Sequence, residues 1–199
     1  MLTALRRSLA GLAARRAESS PAPGGAVRWH RLACAVSPDF LPSYRVLAGM
    51  LLQRSDRWGA RALAQKAAER FPDESDAWML LGEAWLAVYR HEEALTAFEQ
   101  ALTLGERPDA ALAAGEIFRR SGRYAEAAER FSRAYAAGGG PDALRQNAAA
   151  LYQAGDAAAA DQALALWAQL VPGGAAQLAA VRTEMKLQVE MKLQVERKD

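Results

Sequence analysis

The stretch Ser75-Asp76-Ala77-Trp78-Met79-Leu80-Leu81-Gly82-Glu83-Ala84-Trp85-Leu86-Ala87, followed after a short break by Ala94-Leu95-Thr96-Ala97-Phe98-Glu99-Gln100-Ala101-Leu102, decides the fold. Trp78, Leu81, Trp85 and Val88/Tyr89 recur at steps of three and four, which places them on one face of a helix over 76–90. Ala94, Leu95, Phe98, Ala101 and Leu102 do the same for a second helix over 92–104. Arg90-His91 reads as the break between them, with His91 a solvated loop residue beside Glu92 and Glu93. Neither helix can bury its apolar stripe alone, so the hairpin needs similar hairpins beside it.

Those neighbours are legible on both sides. Gly82 and Gly115 are 33 residues apart, and so are Phe98 and Phe131, and Ala101 and Ala134. A later unit carries Leu144, Ala148, Leu151, Gly155, Ala160, Leu164 and Trp167; an earlier one carries Tyr44, Leu47, Ala48, Leu51, Ala60, Ala64 and Ala67. Pro-Asp punctuates the chain at 38–39, 72–73, 108–109 and 141–142, with spacings of 34, 36 and 33, and Pro172 follows 31 residues later. Proline suits a turn or a first helical turn and Asp can accept orphan helix N–H groups, so each pair is expected to stop one helix and cap the next. Small residues recur where two helices must touch, and large ones where a wedge fills the gap.

Trp78-x2-Leu81-Gly82-x2-Trp85 followed by Ala94-x3-Phe98 resembles the tetratricopeptide repeat, with Trp85 in place of the usual Tyr. The resemblance covers about two-thirds of the chain in four units, at 41–74, 75–107, 108–140 and 141–174. It departs from the pattern in places. Only the second unit has Trp at its first anchor. The first and fourth have Ala where Gly is usual. The fourth has Trp167 where a small residue is expected, which would push its second helix outward. The resemblance implies an all-α chain: an α-solenoid of stacked helix–turn–helix repeats with a C-terminal capping helix, forming a right-handed superhelix whose concave face is lined by each unit's first helix.

Composition agrees and excludes other classes. Hydrophobic residues make up 51% and charged residues 24%, which is globular composition, and aromatics are only 8%, which suits closely packed helices better than large sheets. The one cysteine, Cys34, excludes an internal disulfide and a cysteine-based zinc site within one chain. No run approaches 18 apolar residues, so no transmembrane segment is expected. A net charge of +2 makes no general case for nucleic acid, and the repeats lack basic patches with interleaved aromatics.

The charge is nevertheless uneven. Residues 1–40 hold six Arg against Glu18 and Asp39. Residues 1–17 form an amphipathic helix by pattern, with Leu2, Leu5, Leu9 and Leu12 on one stripe and Arg6, Arg7 and Arg15 off it. The run 19–25 reads as a flexible break, and 27–36 as a short helix. Four readings stand for 1–40: a degenerate half-repeat capping the solenoid, an organelle transit peptide, peripheral membrane contact through 1–17, or a disordered segment. The compartment is accordingly expected to be a bacterial-like cytoplasm or, on the second reading, a mitochondrial or plastid interior.

At the other end, residues 175–199 hold an identical tandem copy, Met185–Glu190 and Met191–Glu196. Its period of two would align the apolar residues on a strand, but its residue types favour helix and a lone strand has no ladder partner. A capping helix from about Ala175, with Leu178 and Val181 inward, is the expectation.

Candidates for chemistry are sparse. His30 and Cys34 share a helix face without a third ligand nearby, and read as a surface histidine and a half-buried thiol. Gly138-Gly139-Gly140 lacks the Lys-Ser/Thr of a phosphate loop and reads as a helix stop. No catalytic residues, metal ligands or cofactor are expected, and the chain reads as a non-enzyme. The groove is the better candidate. Repeat register places Arg45 and Gln53, then Met79, Glu83 and Leu86, then Glu116, Arg119 and Arg120, then Arg145, Gln146 and Tyr152 on the concave side of the first helices. A protein or peptide partner of matching charge would lie there. Gly49, where the family's tail-clamping members have Asn, and Asp109, where they have a basic residue, separate this chain from the clamp that grips a partner's C-terminal carboxylate. The leading function is a scaffold or adaptor that binds a partner segment; the alternative is an assembly subunit held through its two ends.

Overall fold

The structure, a computed structural model, describes residues 8–9, 11–13, 15–16, 23–38 and 40–196. Among these, every regular element is helical: α1 Pro23–Val36, α2 Leu41–Gln53, α3 Arg57–Arg70, α4 Ser75–Ala87, α5 His91–Leu104, α6 Pro108–Arg120, α7 Tyr124–Ala136, α8 Pro141–Gln153, α9 Ala157–Leu170 and α10 Gly174–Glu196. The helices divide into two compact units, one up to Gly105 and one from Glu106. In the first, α2 pairs with α3 and α4 with α5, and α1 packs on α2. In the second, α6 pairs with α7 and α8 with α9, while α10 packs on α9 and touches α8. This is the expected all-α solenoid of stacked helical hairpins, with a helix closing its C-terminal end.

Each hairpin is built on one device. Its first helix ends with a residue in the left-handed region: Ser55 at φ 62°, Tyr89 at 61°, Gly122 at 75° and Gly155 at 87°. The next residue's N–H then reaches back to a carbonyl five residues earlier, from Asp56 to Leu51, Arg90 to Trp85, Arg123 to Phe118 and Asp156 to Leu151. That bond satisfies a carbonyl the helix end would leave orphaned, and it fixes the angle at which the second helix starts. Only two of the four left-handed positions are glycine.

The Pro-Asp pairs do less than the sequence pattern suggests. Pro108 and Pro141 occupy the first turns of α6 and α8, where a missing N–H costs nothing. Pro72 sits in the turn before α4, its carbonyl accepting from the Trp78 indole at 2.8 Å. No side chain caps α4, α6 or α8. The capping aspartates are Asp56 and Asp156, which accept from Gly59 N at 2.9 Å and Ala159 N at 3.0 Å. Asp109 instead pairs with Arg107. Asp39 lies outside the described residues.

Close packing within hairpins depends on small residues. The Phe98 ring lies on the backbone of Gly82, and the Phe131 ring on that of Gly115, where a Cβ would meet ring carbon Cε1 at 2.7 Å. Both rings are fully buried. In the outer hairpins the same two positions are Ala48 with Ala64, and Ala148 with Leu164, all fully buried. Trp167, expected to hold its helix outward, is buried in a cluster with Leu144 and Ala168, with Leu178 and Val181 packed against it. The capping helix supplies the wall that accommodates the indole.

Three further expectations change. His91 is the first residue of α5 rather than part of a loop, though it is exposed. His30 is 2% exposed, not at the surface, because α1 turns it inward, while Cys34 is half-buried as expected and burial pushes its thiol up to about 11. α1 begins at Pro23, since proline suits a helix start, so the break is shorter than 19–25; residues 19–22 lie outside the described residues. Of the N-terminal amphipathic stretch, the described residues 8–9, 11–13 and 15–16 are helical; Leu2, Leu5, Arg6 and Arg7 lie outside them.

The duplicated hexamer is helical throughout. Six residues turn a helix by about 240° from its starting direction, so identical copies cannot repeat their contacts. Met185 is buried and Val189 half-buried on the stripe begun by Leu178 and Val181, whereas Leu187 and Met191 face solvent.

Candidate functional site

In the second unit α6, α8 and α10 enclose a cavity of about 740 Å³. Its walls are Leu112, Ala113, Glu116, Arg119 and Arg120 from α6, Arg145, Gln146, Ala149 and Gln153 from α8, and Val181, Glu184, Met185 and Gln188 from α10. Five residues expected from repeat register therefore face one space: Glu116, Arg119, Arg120, Arg145 and Gln146. They do so because positions three and four apart on a helix share a face, and α6 and α8 present that face to the same side.

Its electrostatics centre on Glu116. Arg119 donates to both carboxylate oxygens at 2.8 Å, and Arg120 Nε to Oε1 at 2.7 Å. The fork from Arg119 is the main reason the Glu116 carboxyl is held below the usual carboxylate range, with Arg120 adding to it. Arg119 is pushed up in return. One carboxylate thus positions two guanidinium groups and leaves a net positive charge. Arg145 is more loosely held, 3.8 Å from the exposed Asp142. Glu184 is the acidic group on the α10 side, and Gln146, Gln153 and Gln188 add amides that can both donate and accept.

Tyr152, expected on the same face, is 6% exposed and lies under α10. Its hydroxyl donates to Asp161, Lys186 lies over its ring, and Arg182 pairs with Asp161 at 2.6 Å. Burial above all, with the Asp161 bond, pushes the phenol up to about 12. In this structure Tyr152 anchors the capping helix.

In the first unit, Arg45 and Gln53 lie exposed on α2 and Glu83 exposed on α4, with Leu86 half-buried. Arg45 pairs with Asp76 across these helices at 3.6 Å. Met79 is 5% exposed, so it is part of the packing rather than a surface side chain. The sequence reading did not anticipate Glu184, Met185 and Gln188. The signal was present: stepping on from Leu178 and Val181 by four leads to Met185, with Glu184 and Gln188 at its flanks.

The tetratricopeptide repeat family model matches residues 50–111 and 89–142. Residues 50–142 are tetratricopeptide repeats. No curated protein sequence matches the chain. Solved structures share its fold at low identity. MamA is 16% identical, with a TM-score of 0.67 over 90% of this chain and 94% of its own. YrrB, described as a TPR protein with an unusual peptide-binding site, is 17% identical, with a TM-score of 0.65 over 88% of this chain and 89% of its own. Yeast Tom70 is 16% identical, with a TM-score of 0.65 over 86% of this chain and 40% of its own. The tetratricopeptide-repeat chain thus has the architecture of a protein-interaction scaffold. Among its described residues no helix is long and apolar enough to cross a membrane.

Proposed function

We propose that this chain is a non-catalytic scaffold that holds an acidic segment of a partner protein in the cavity between α6, α8 and α10. The observation that carries the reading is the convergence of Arg119, Arg120 and Arg145 on one 740 Å³ space, with Glu116 fixing the first two. Preset guanidinium groups lose little freedom when they accept a carboxylate, so the cost of ordering is met in the free protein. The three amides suit a peptide backbone, and Val181 and Met185 provide an apolar floor. YrrB's description supports peptide binding as a use of this fold. Arg45, Gln53, Glu83 and Leu86 are the corresponding candidates in the first unit; Met79 and Tyr152 would contribute through packing.

The test is affinity capture with the wild type and with Arg120→Glu/Arg145→Glu, then titration of the captured segment against both. Both arginines are solvent-exposed, so the circular dichroism spectrum should be unchanged. The affinity should fall about tenfold or more, with steep salt dependence in the wild type. Equal affinities would remove the cavity from the binding site.

A further inference from the structure

Three exposed leucines share one groove in the N-terminal part of the first unit. Leu9 is 49% exposed, Leu12 56% and Leu32 46%. They surround a small groove of about 280 Å³ between the 8–16 stretch and α1, whose other walls are Ala13, Trp29, Val36 and Arg16. Ala13 and Trp29 belong to the cluster that holds this stretch on α1, so the leucines are what remains outside after packing. Arg16 lines this groove, Arg15, Arg28 and Arg31 are exposed on the same two segments, and Arg28 and Arg31 border a second cavity with Arg54 and Asp56. Among the described residues from 8 to 38 there is no carboxylate side chain.

We propose that this leucine strip with its arginine border docks on an anionic lipid surface. Its two features match the two layers of a membrane boundary. Apolar side chains enter the level where headgroups meet acyl chains, and cations stay among the negatively charged headgroups. A half-buried Trp at the groove suits the same boundary. A second copy of this chain fits poorly, because pairing the strip with itself would bring Arg15, Arg28 and Arg31 against their equivalents. A folded protein partner would have to supply an unbroken acidic border around an apolar centre; an anionic bilayer presents that over any area.

The experiment is co-sedimentation of the full chain with phosphatidylcholine vesicles, with and without about a third phosphatidylserine, at low and high salt. Binding is expected only with phosphatidylserine, and to weaken as salt screens it. Arg28→Gln/Arg31→Gln should lower the partition about fivefold per arginine. Leu12→Glu/Leu32→Glu, at exposed positions with the helical signal intact, should abolish it. Arg120→Glu/Arg145→Glu should leave it unchanged, which separates this surface from the peptide cavity. Absence of binding to anionic vesicles would overturn the proposal. So would equal binding to pure phosphatidylcholine, or full binding by the leucine variant. Saturable binding to an acidic protein at this strip, without vesicle binding, would overturn it in favour of a protein partner.

Discussion

The inner hairpins, α4–α5 and α6–α7, and the outer ones, α2–α3 and α8–α9, solve one packing problem in two ways. In the inner pairs a glycine lets a phenylalanine ring lie on the backbone, at Gly82 with Phe98 and Gly115 with Phe131. In the outer pairs an alanine faces something smaller, Ala48 with Ala64 and Ala148 with Leu164. The difference teaches that the pair, rather than either residue, is what the repeat specifies. A glycine is needed only where the opposite side chain is a ring. Where it is alanine or leucine, a methyl group fits and the helix gains the better helix former. The first hairpin makes up the lost ring volume from elsewhere: Tyr44 is buried beside Ala48 and Ala64, with Phe71 packed edge-on to it at 6.0 Å.

The largest expected effect tests that pairing. Gly82→Ala pushes a methyl into a ring that cannot leave its site and should cost about 1–3 kcal/mol. Phe98→Leu leaves a gap and should also destabilise, by about 1–2 kcal/mol. The double variant copies the Ala148–Leu164 arrangement, and urea unfolding should show it at least about 1 kcal/mol more stable than the two losses added together. Strict additivity would break the comparison.

A second contrast concerns the turns inside the hairpins. Ser55 and Tyr89 hold a left-handed backbone that Gly122 and Gly155 adopt freely. Ser55→Gly should stabilise the first unit by up to about 1 kcal/mol, while Gly155→Ser should destabilise the second by about as much. Thermal unfolding of the two variants should move in opposite directions, by about 2–4 °C each. Movement in one direction would show that the four turns are not equivalent.

The smallest effect concerns the cavity charges, which the first unit does not reproduce. Arg119 and Arg120 depress the Glu116 carboxyl, so the folded state binds a proton there less readily than the unfolded chain. The stabilisation is complete above the unfolded value near about 4.3 and is lost as pH falls through the lower folded value. Because these groups are partly solvated, the contribution stays below about 1 kcal/mol. Glu116→Gln should therefore lower stability slightly at pH 7 and flatten its fall below about pH 4.5, read by urea midpoints across pH. An unchanged acid limb would show that the carboxylate adds nothing to folding.

Legibility in the sequence followed the range of the interactions. Helix positions were readable because apolar spacing is local, and the four hairpins because Gly82, Phe98, Gly115 and Phe131 keep a constant interval. Glu116, Arg119, Arg120, Arg145 and Gln146 were readable as neighbours because register carries a face from one hairpin to the next. Met79 and Tyr152 were not, since exposure depends on what covers a helix, and α10 covers Tyr152. The sequence does not mark the capping aspartates Asp56 and Asp156, because Pro-Asp is the louder signal, although proline at a first helical turn already meets the need that a cap would meet.

By itself the sequence determined that this chain is a string of two-helix units, since spacing of three, four and about 33 residues survives without knowledge of any partner surface. Tertiary structure alone decided which side chains remain for binding. Burial of Trp167 and Met185, closure of the cavity by α10 and the exposure of Leu9, Leu12 and Leu32 all arise from helices distant in sequence meeting, and water is excluded only where they meet.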